Sequence, residues 1–138
     1  MLERLVYVST ATSRLDLPRQ AAEIALWSAG PNARNGLTGA LVGHDGHFIQ
    51  VVEGSPDALD ALLRRLEADD RHYDLILIDR WPIETRVFES WAMALAADDA
   101  EDPTMDAVVS DATISPRQLA EQLRSRVIPA TAALGSGA

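Results

Sequence analysis

Among the residues that could do chemistry in this chain, Gln50 has the setting that most demands an explanation. It lies in the run Phe48-Ile49-Gln50-Val51-Val52, where strand alternation puts Phe48, Gln50 and Val52 on one face and Ile49 and Val51 on the other. Both faces are apolar, so a primary amide stands in a covered row. Leaving its donors and acceptor unpaired there would cost roughly 1–3 kcal/mol per group, so something polar must meet it. Backbone or a buried water would make Gln50 a satisfied core residue; a ligand would make it functional. Tyr7 is also mid-strand, in Leu-Val-Tyr-Val-Ser, sharing a face with Leu5 and Ser9. A strand tyrosine commonly finds a backbone partner for its hydroxyl, so Tyr7 gains interest only from its company.

Other chemistry is thinner. The glycines at 36, 39, 43 and 46 form neither a G-x-G-x-x-G turn opening a helix nor a Walker loop, so no phosphate cradle is encoded. His44 and His47 flank a turn, His72 is distant and the chain has no cysteine, so no metal site is expected. Glu23 and Glu53 are candidates for an acid and base pair, but no spacing rule brings them together. Arg65 and Asp69 stand one helical turn apart, either as a surface ion pair worth at most ~1 kcal/mol or with the arginine as a rigid fork for a carbonyl or phosphate. Trp91 and Met93 share a strand face, as core or as two large residues competing for one pocket. A small acylphosphatase-like hydrolase would want an Arg in the loop after the first strand and a neighbouring Asn, which Arg14 with Asn32 or Asn35 matches loosely.

The elements that must position these residues are well marked. Leu2 to Ser9 alternates as a strand. A helix runs from an Asp16 N-cap to about Ala29, Gly30-Pro31 stops it, and Asn32 lies just past the end. Its face of Leu17, Ala21, Ile24, Ala25 and Ser28 is small enough to admit a flat ring. Leu37–Val42 and Phe48–Val52 form a hairpin about Asp45-Gly46. Ser55-Pro56 opens a second helix reaching about Asp70, with a stripe of Leu59, Leu62, Leu63 and Leu66. Short and long strands follow at Leu75–Asp79 and Val87–Leu95, the latter with Val87, Glu89, Trp91, Met93 and Leu95 on one face. After an acidic break at 98–102, Ser115-Pro116 caps an amphipathic helix carrying Leu119, Leu123 and Val127, and the tail begins at Pro129. That helix must cover the open sheet face, with Ile49 and Val51 as candidates, or another subunit.

This order predicts an α+β fold: a ferredoxin-like βαββαβ core with a fifth strand and C-terminal helices, a mixed sheet with both main helices on one face. Residues 1–97 read as the functional domain and 98–138 as a helical extension and tail. At 138 residues and 47% hydrophobic content, a single core is expected. A net charge of −9 argues against nucleic-acid or anionic-membrane binding, which depend on clustered Lys and Arg. No signal peptide or membrane span is evident, and the expected setting is the reducing cytoplasm.

Leu-Val-Tyr-Val-Ser at the start, Asn32 after its helix, Leu-Thr-Gly-Ala-Leu at 37–41, Gln-Val-Val-Glu-Gly at 50–54, Asp69-Asp70-Arg71-His72 and Phe88-Glu89-Ser90-Trp91-Ala92-Met93 together resemble the BLUF family, flavin-based blue-light sensors, in its short stand-alone form. The resemblance runs in order from about Leu2 to about Leu95. It implies a non-covalent flavin between the two main helices, with Tyr7 and Gln50 at its N5 and C4-carbonyl edge and Asn32 on the same edge. Arg65 and Asp69 would meet the other carbonyl side, with Ser28, Arg71 and His72 nearby. FAD is the expected cofactor, although FMN and riboflavin share the ring that all these contacts address. The implied light step is electron and proton transfer from Tyr7, followed by rearrangement of the Gln50 amide, a slight red shift and a population shift at Trp91, Met93 and the tail. Pro31 stands where the family commonly has a polar residue, which stiffens the approach to Asn32. With no effector domain attached, a sensor rather than an enzyme is expected, signalling to an unidentified downstream protein and self-associating through its C-terminal helix. A non-photoactive ferredoxin-like ligand-binding regulatory domain and the small hydrolase remain the alternatives.

Overall fold

In the computed structural model the described residues are 1–12, 16–68, 72–88, 92–96, 105 and 116–128. In chain order the elements are β1 (Leu2–Ala11), α1 (Leu17–Arg34), β2 (Thr38–His44), β3 (His47–Gly54), α2 (Pro56–Glu67), β4 (His72–Ile83), β5 (Ala94–Ala96), α3 (Pro116–Ser125) and β6 (Val127–Ile128). The sheet order is β4-β1-β3-β2-β5-β6, all neighbours antiparallel except β2 and β5. Its first four strands and two main helices make the ferredoxin-like core read from the sequence.

The hairpin follows from its turn: Asp45 and Gly46 both have positive φ, 48° and 77°, the combination that matches the twist of the flanking strands. Its alternation divides the core. Leu5, Tyr7, Leu41, Phe48 and Val52 pack with Ala21, Ile24 and Ala25 of α1 and Leu59 and Leu62 of α2. On the opposite face Val6, Val8, Ala40, Val42, Ile49 and Val51 pack with Phe88, Met105 and the α3 residues Leu119, Ala120 and Leu123. Of the two covers open to the C-terminal helix, the chain's own sheet is the one it takes. The apolar stripe that supported self-association is spent inside the chain.

Several boundaries differ from expectation. α1 continues through Pro31 to Arg34, so Asn32 sits in its last turn rather than beyond it. The stop is Asn35-Gly36: Gly36 takes φ 70°, Leu37 N–H donates to the Asn32 carbonyl at 2.8 Å and Gly36 N–H to Ala33 at 3.3 Å, a Schellman closure. Pro31 removes one N–H without breaking the remaining ladder, and its carbonyl still accepts from Asn35. Asp16 has φ 50° and makes no side-chain cap bond, whereas Ser55 caps α2 by accepting from the Ala58 N–H at 3.2 Å. α2 itself ends at Glu67 rather than Asp70.

β4 spans twelve residues, not five, because β1 pairs with it over nearly its whole length; as an edge strand it tolerates Pro82. Arg80 clamps it to α2, donating to Glu3 at 2.8 Å, Asp60 at 2.6 Å and the Pro56 carbonyl at 3.0 Å. The bond to Asp60 above all, and then Glu3, hold its guanidinium above the ordinary arginine range against partial burial. Of the long strand expected over Val87–Leu95, the described residues form strand only at Ala94–Ala96. Alternation therefore does not carry across it: Val87 packs on the α3 side, while Met93 and Leu95 pack on the α1 and α2 side. Among the described residues, no helix is long and apolar enough to cross a membrane.

Candidate functional site

Antiparallel pairing sets Gln50 of β3 directly opposite Tyr7 of β1, with Leu41 of β2 on its other side. Both polar side chains point toward the helices and are buried, Gln50 at 3% exposure and Tyr7 at 0%. The β1–β4 ladder shifts register at Val6/Tyr7 and again at Val8/Thr10, so Tyr7 lies beside a bulge, a device that re-aims side chains near functional sites. The polar partner of Gln50 is Met93, whose Sδ accepts from Nε2 at 3.3 Å. A thioether is a weak acceptor, so this bond holds the amide in place but yields easily to a stronger partner.

Asn32 reaches the same short segment from the other side. Its Nδ2 donates to the Ala92 carbonyl at 2.9 Å. The α1 C-terminus and the centre of β3 thus grip adjacent residues, Ala92 and Met93. The Schellman closure fixes the Asn32 backbone, which explains how an asparagine in a helix's last turn is held in one orientation.

Between α1 and α2 opens a cavity of about 160 Å³ lined by Trp27, Ser28, Pro31, Asn32, Leu62, Arg65 and Leu66. Leu62 and Leu66 offer flat apolar walls, while a hydroxyl, an amide and a guanidinium supply hydrogen-bonding groups at its rim. Ser9, on the Tyr7 face, adds a fully buried hydroxyl with no hydrogen-bond partner among the described residues. An orphaned buried hydroxyl is costly unless a further polar group meets it. The cavity's apolar walls and polar rim groups fit a planar heteroaromatic with polar edges, as a flavin ring is; Ser9 is not among its lining residues.

The structure thus gathers Ser28, Asn32 and Arg65 at the cavity and Tyr7, Gln50 and Met93 on the sheet side. Tyr7 and Gln50 are not among the cavity-lining residues; both are buried on the helix-facing side of the sheet. Asp69, Arg71 and Trp91, like Arg14 of the hydrolase reading, lie outside the described residues. His72 opens β4, pairing with Ala11, and its side chain is likewise outside them. Ser9 and Trp27 escaped sequence reasoning. The alternation that placed Tyr7 also placed Ser9, but a serine at a strand end reads as polar punctuation. Nothing local marks Trp27, because its place at the rim depends on how the helices pack.

The acid and base pair of Glu23 and Glu53 does not form. Glu23 pairs with Arg19 on α1 at 3.3 Å, whereas Glu53 is buried on the opposite sheet face against Arg4. Among the described residues no three potential metal ligands cluster.

Comparison with known proteins adds an independent line. The family model described as "Sensors of blue-light using FAD", BLUF, matches residues 2–94. A photoactivated adenylate cyclase subunit beta of Euglena gracilis is 33% identical over 133 residues, covering 92% of this chain but 15% of that protein. The chain therefore spans a small part of that relative. In the dark-state structure of BlrB, a BLUF protein, the match has 28% identity and a TM-score of 0.68, covering 91% of this chain and 93% of the other. The photo-activated state of BlsA shares the fold, with a TM-score of 0.70 at 21% identity over 91% of this chain and 94% of the other.

Proposed function

The chain belongs to the BLUF family of blue-light sensors using FAD, and from that premise we propose that Tyr7 and Gln50 are its photoactive pair and Met93 the first residue to feel the change. The observation that carries this is the contact between the Gln50 amide and the Met93 sulfur beside Tyr7. A bound flavin would supply absorption of blue light and an excited state that accepts an electron. Tyr7 is the oxidisable side chain on Gln50's cross-strand flank, and its phenol carries the proton that must leave with the electron. Gln50 carries donors and an acceptor on one neutral head, so a change in its orientation or tautomer exchanges which group it presents. The departure of its NH₂ from Met93 would release the segment that Asn32 also holds. The response would then be a population shift at the edge of the sheet, passed on to a partner.

Ser28, Asn32 and Arg65 would hold the ring between the helices, with Asp69, Arg71 and His72 completing the site and Trp91 sharing the switch. We take FAD as the cofactor; FMN and riboflavin share the ring these groups address. Residues 1–97 act as the sensor and 98–138 as its extension, in a cytoplasmic protein that signals to another protein and is not itself an enzyme; the self-association expected of the C-terminal helix loses its ground, since that helix covers the chain's own sheet.

The decisive experiment is Gln50→Leu. It keeps approximate volume and removes every hydrogen bond of the amide. The expected variant folds and binds flavin, but its dark spectrum moves and the light-induced red shift is lost. A flavin-loaded Gln50→Leu protein with a normal photocycle would refute the assignment.

A further inference from the structure

Glu53 accepts five hydrogen bonds on its two carboxylate oxygens, and the reading of Gln50 leaves it unused. It is fully buried on the sheet face away from the cavity. Its Oε2 accepts from Arg4 Nε at 3.0 Å, Arg4 Nη2 at 2.8 Å and the Val87 N–H at 2.8 Å. Its Oε1 accepts from the Thr38 hydroxyl at 3.2 Å and the Phe88 N–H at 2.9 Å. Arg86 adds a strap, donating to the Glu53 carbonyl at 3.1 Å and to Thr38 Oγ1 at 2.9 Å. A buried carboxylate needs full compensation, and the Arg4 fork alone supplies two of these bonds. The other anchors are backbone amides of residues 87 and 88, which belong to no strand and lack ladder partners.

Their location gives the arrangement its meaning. β5 is three residues long and meets its neighbours in two register pairs each, Ala40 with Ala94 and Leu41 with Leu95 on β2, and Leu95 with Ile128 and Ala96 with Val127 on β6. So short a strand is weakly held by its own ladder. Where the chain enters β5, and hence where Met93 stands against Gln50, depends on what fixes the chain upstream: Asn32 holds the Ala92 carbonyl at 2.9 Å, and a second anchor lies further back. Glu53 fixes it at Val87 and Phe88 from the strand that carries Gln50, three residues away. Both sides of the Gln50–Met93 contact are thereby rooted in β3.

We propose that Glu53 is a positioning residue for the switch: by pinning the amides of Val87 and Phe88 to β3 it holds Met93 on the Gln50 amide and so sets the dark-state orientation of that amide. This rests on the reading of Gln50 as the responding group, and the test separates the two. Two variants serve. Glu53→Gln replaces one acceptor oxygen by a donor. The double variant Arg4→Leu with Glu53→Leu removes the buried ion pair whole, leaving no unpaired charge, a replacement that buried pairs often tolerate.

Methyl-labelled methionine reports directly, since the chain has three methionines and two of them, Met93 and Met105, lie buried on opposite sheet faces. In both variants without flavin, the Met93 methyl resonance is expected to move from its wild-type position. In the flavin-loaded variants the dark absorption band is expected to lie displaced toward the wild-type lit band, with part of the light-induced increment lost. An unmoved Met93 resonance and an unchanged band, with only Met105 perturbed, would show that Glu53 serves local packing and would overturn the proposal. Failure of both variants to fold would overturn it too, by assigning Glu53 to the fold alone. A wild-type protein without a photocycle would sink the reading of Gln50, while the Met93 resonance would still decide whether Glu53 positions it.

Discussion

A buried amide whose donor meets only a thioether sulfur is weakly satisfied, which suits a group proposed to change partners. Had Gln50 been retained only to fill the core, a backbone carbonyl or a water would satisfy it better than the Met93 thioether. At the neighbouring Tyr7 the proposed electron-transfer role can be separated from packing. Tyr7→Phe keeps the ring in its fully buried place and removes only the phenol. The variant is expected to bind flavin but to show no light-minus-dark difference spectrum; an unaltered spectrum would exclude Tyr7 as donor. Ser9, buried on the Tyr7 face, offers a probe of ligand contact that needs no light. Its unpartnered hydroxyl makes Ser9→Ala stabilising in the flavin-free protein by about 1 kcal/mol. If the ligand meets that hydroxyl, the gain vanishes in the flavin-loaded protein, which paired denaturant midpoints with and without flavin will show.

At the scale of elements, the end of α1 matters most, because Asn32 lies in it. Gly30-Pro31 has the composition of a stop, yet the helix passes through it and closes at Asn35-Gly36. Proline inside a helix costs up to about 3 kcal/mol relative to alanine, through its lost N–H and the crowding of the preceding turn. That cost is accepted here one residue before Asn32. Pro31→Ala is therefore expected to raise stability, by no more than that amount, as a higher urea midpoint with an unchanged slope. Because Pro31 also lines the cavity, the same variant is expected to change flavin affinity, measured by equilibrium titration.

For the molecule as a whole, the consequential element is α3. Leu119, Ala120 and Leu123 are fully buried against the sheet face carrying Val6, Val8, Ile49 and Val51. Residues 1–97 alone would expose that face. Each buried leucine side chain contributes roughly 1.5–3 kcal/mol, comparable to a sizeable share of a small domain's stability. A chain truncated after residue 97 is expected to melt at lower temperature than the full chain and to bind a hydrophobic dye, as read by thermal denaturation and dye fluorescence. A truncated protein as stable as the whole would make the division at 97 a true domain boundary. Covering the sheet also places α3 behind β3 and β2, where a change in the strands reaches it without crossing solvent.

How much was legible beforehand depends on the range of the interactions. The hairpin, its Asp45-Gly46 turn, the Ser55 cap and the face shared by Phe48, Gln50 and Val52 follow from local backbone preferences and alternation, so the sequence alone determined them. Family resemblance singled out Tyr7 and Gln50 as candidates, whereas their standing across from each other came only from the strand register. Tertiary structure decided the rest. Pro31 stays helical because the packed face of Ala21, Ile24 and Ala25 and the closure at Gly36 outweigh a local stop signal. β4 extends to twelve residues because β1 offers partners along its length. Val87 and Met93 face opposite sides, and the amides of Val87 and Phe88 bond to Glu53, far off in sequence, rather than to a ladder. Such choices depend on which groups meet across 34 or 35 residues of chain, as Glu53 does with Val87 and Phe88, and no periodicity within a single segment encodes that meeting.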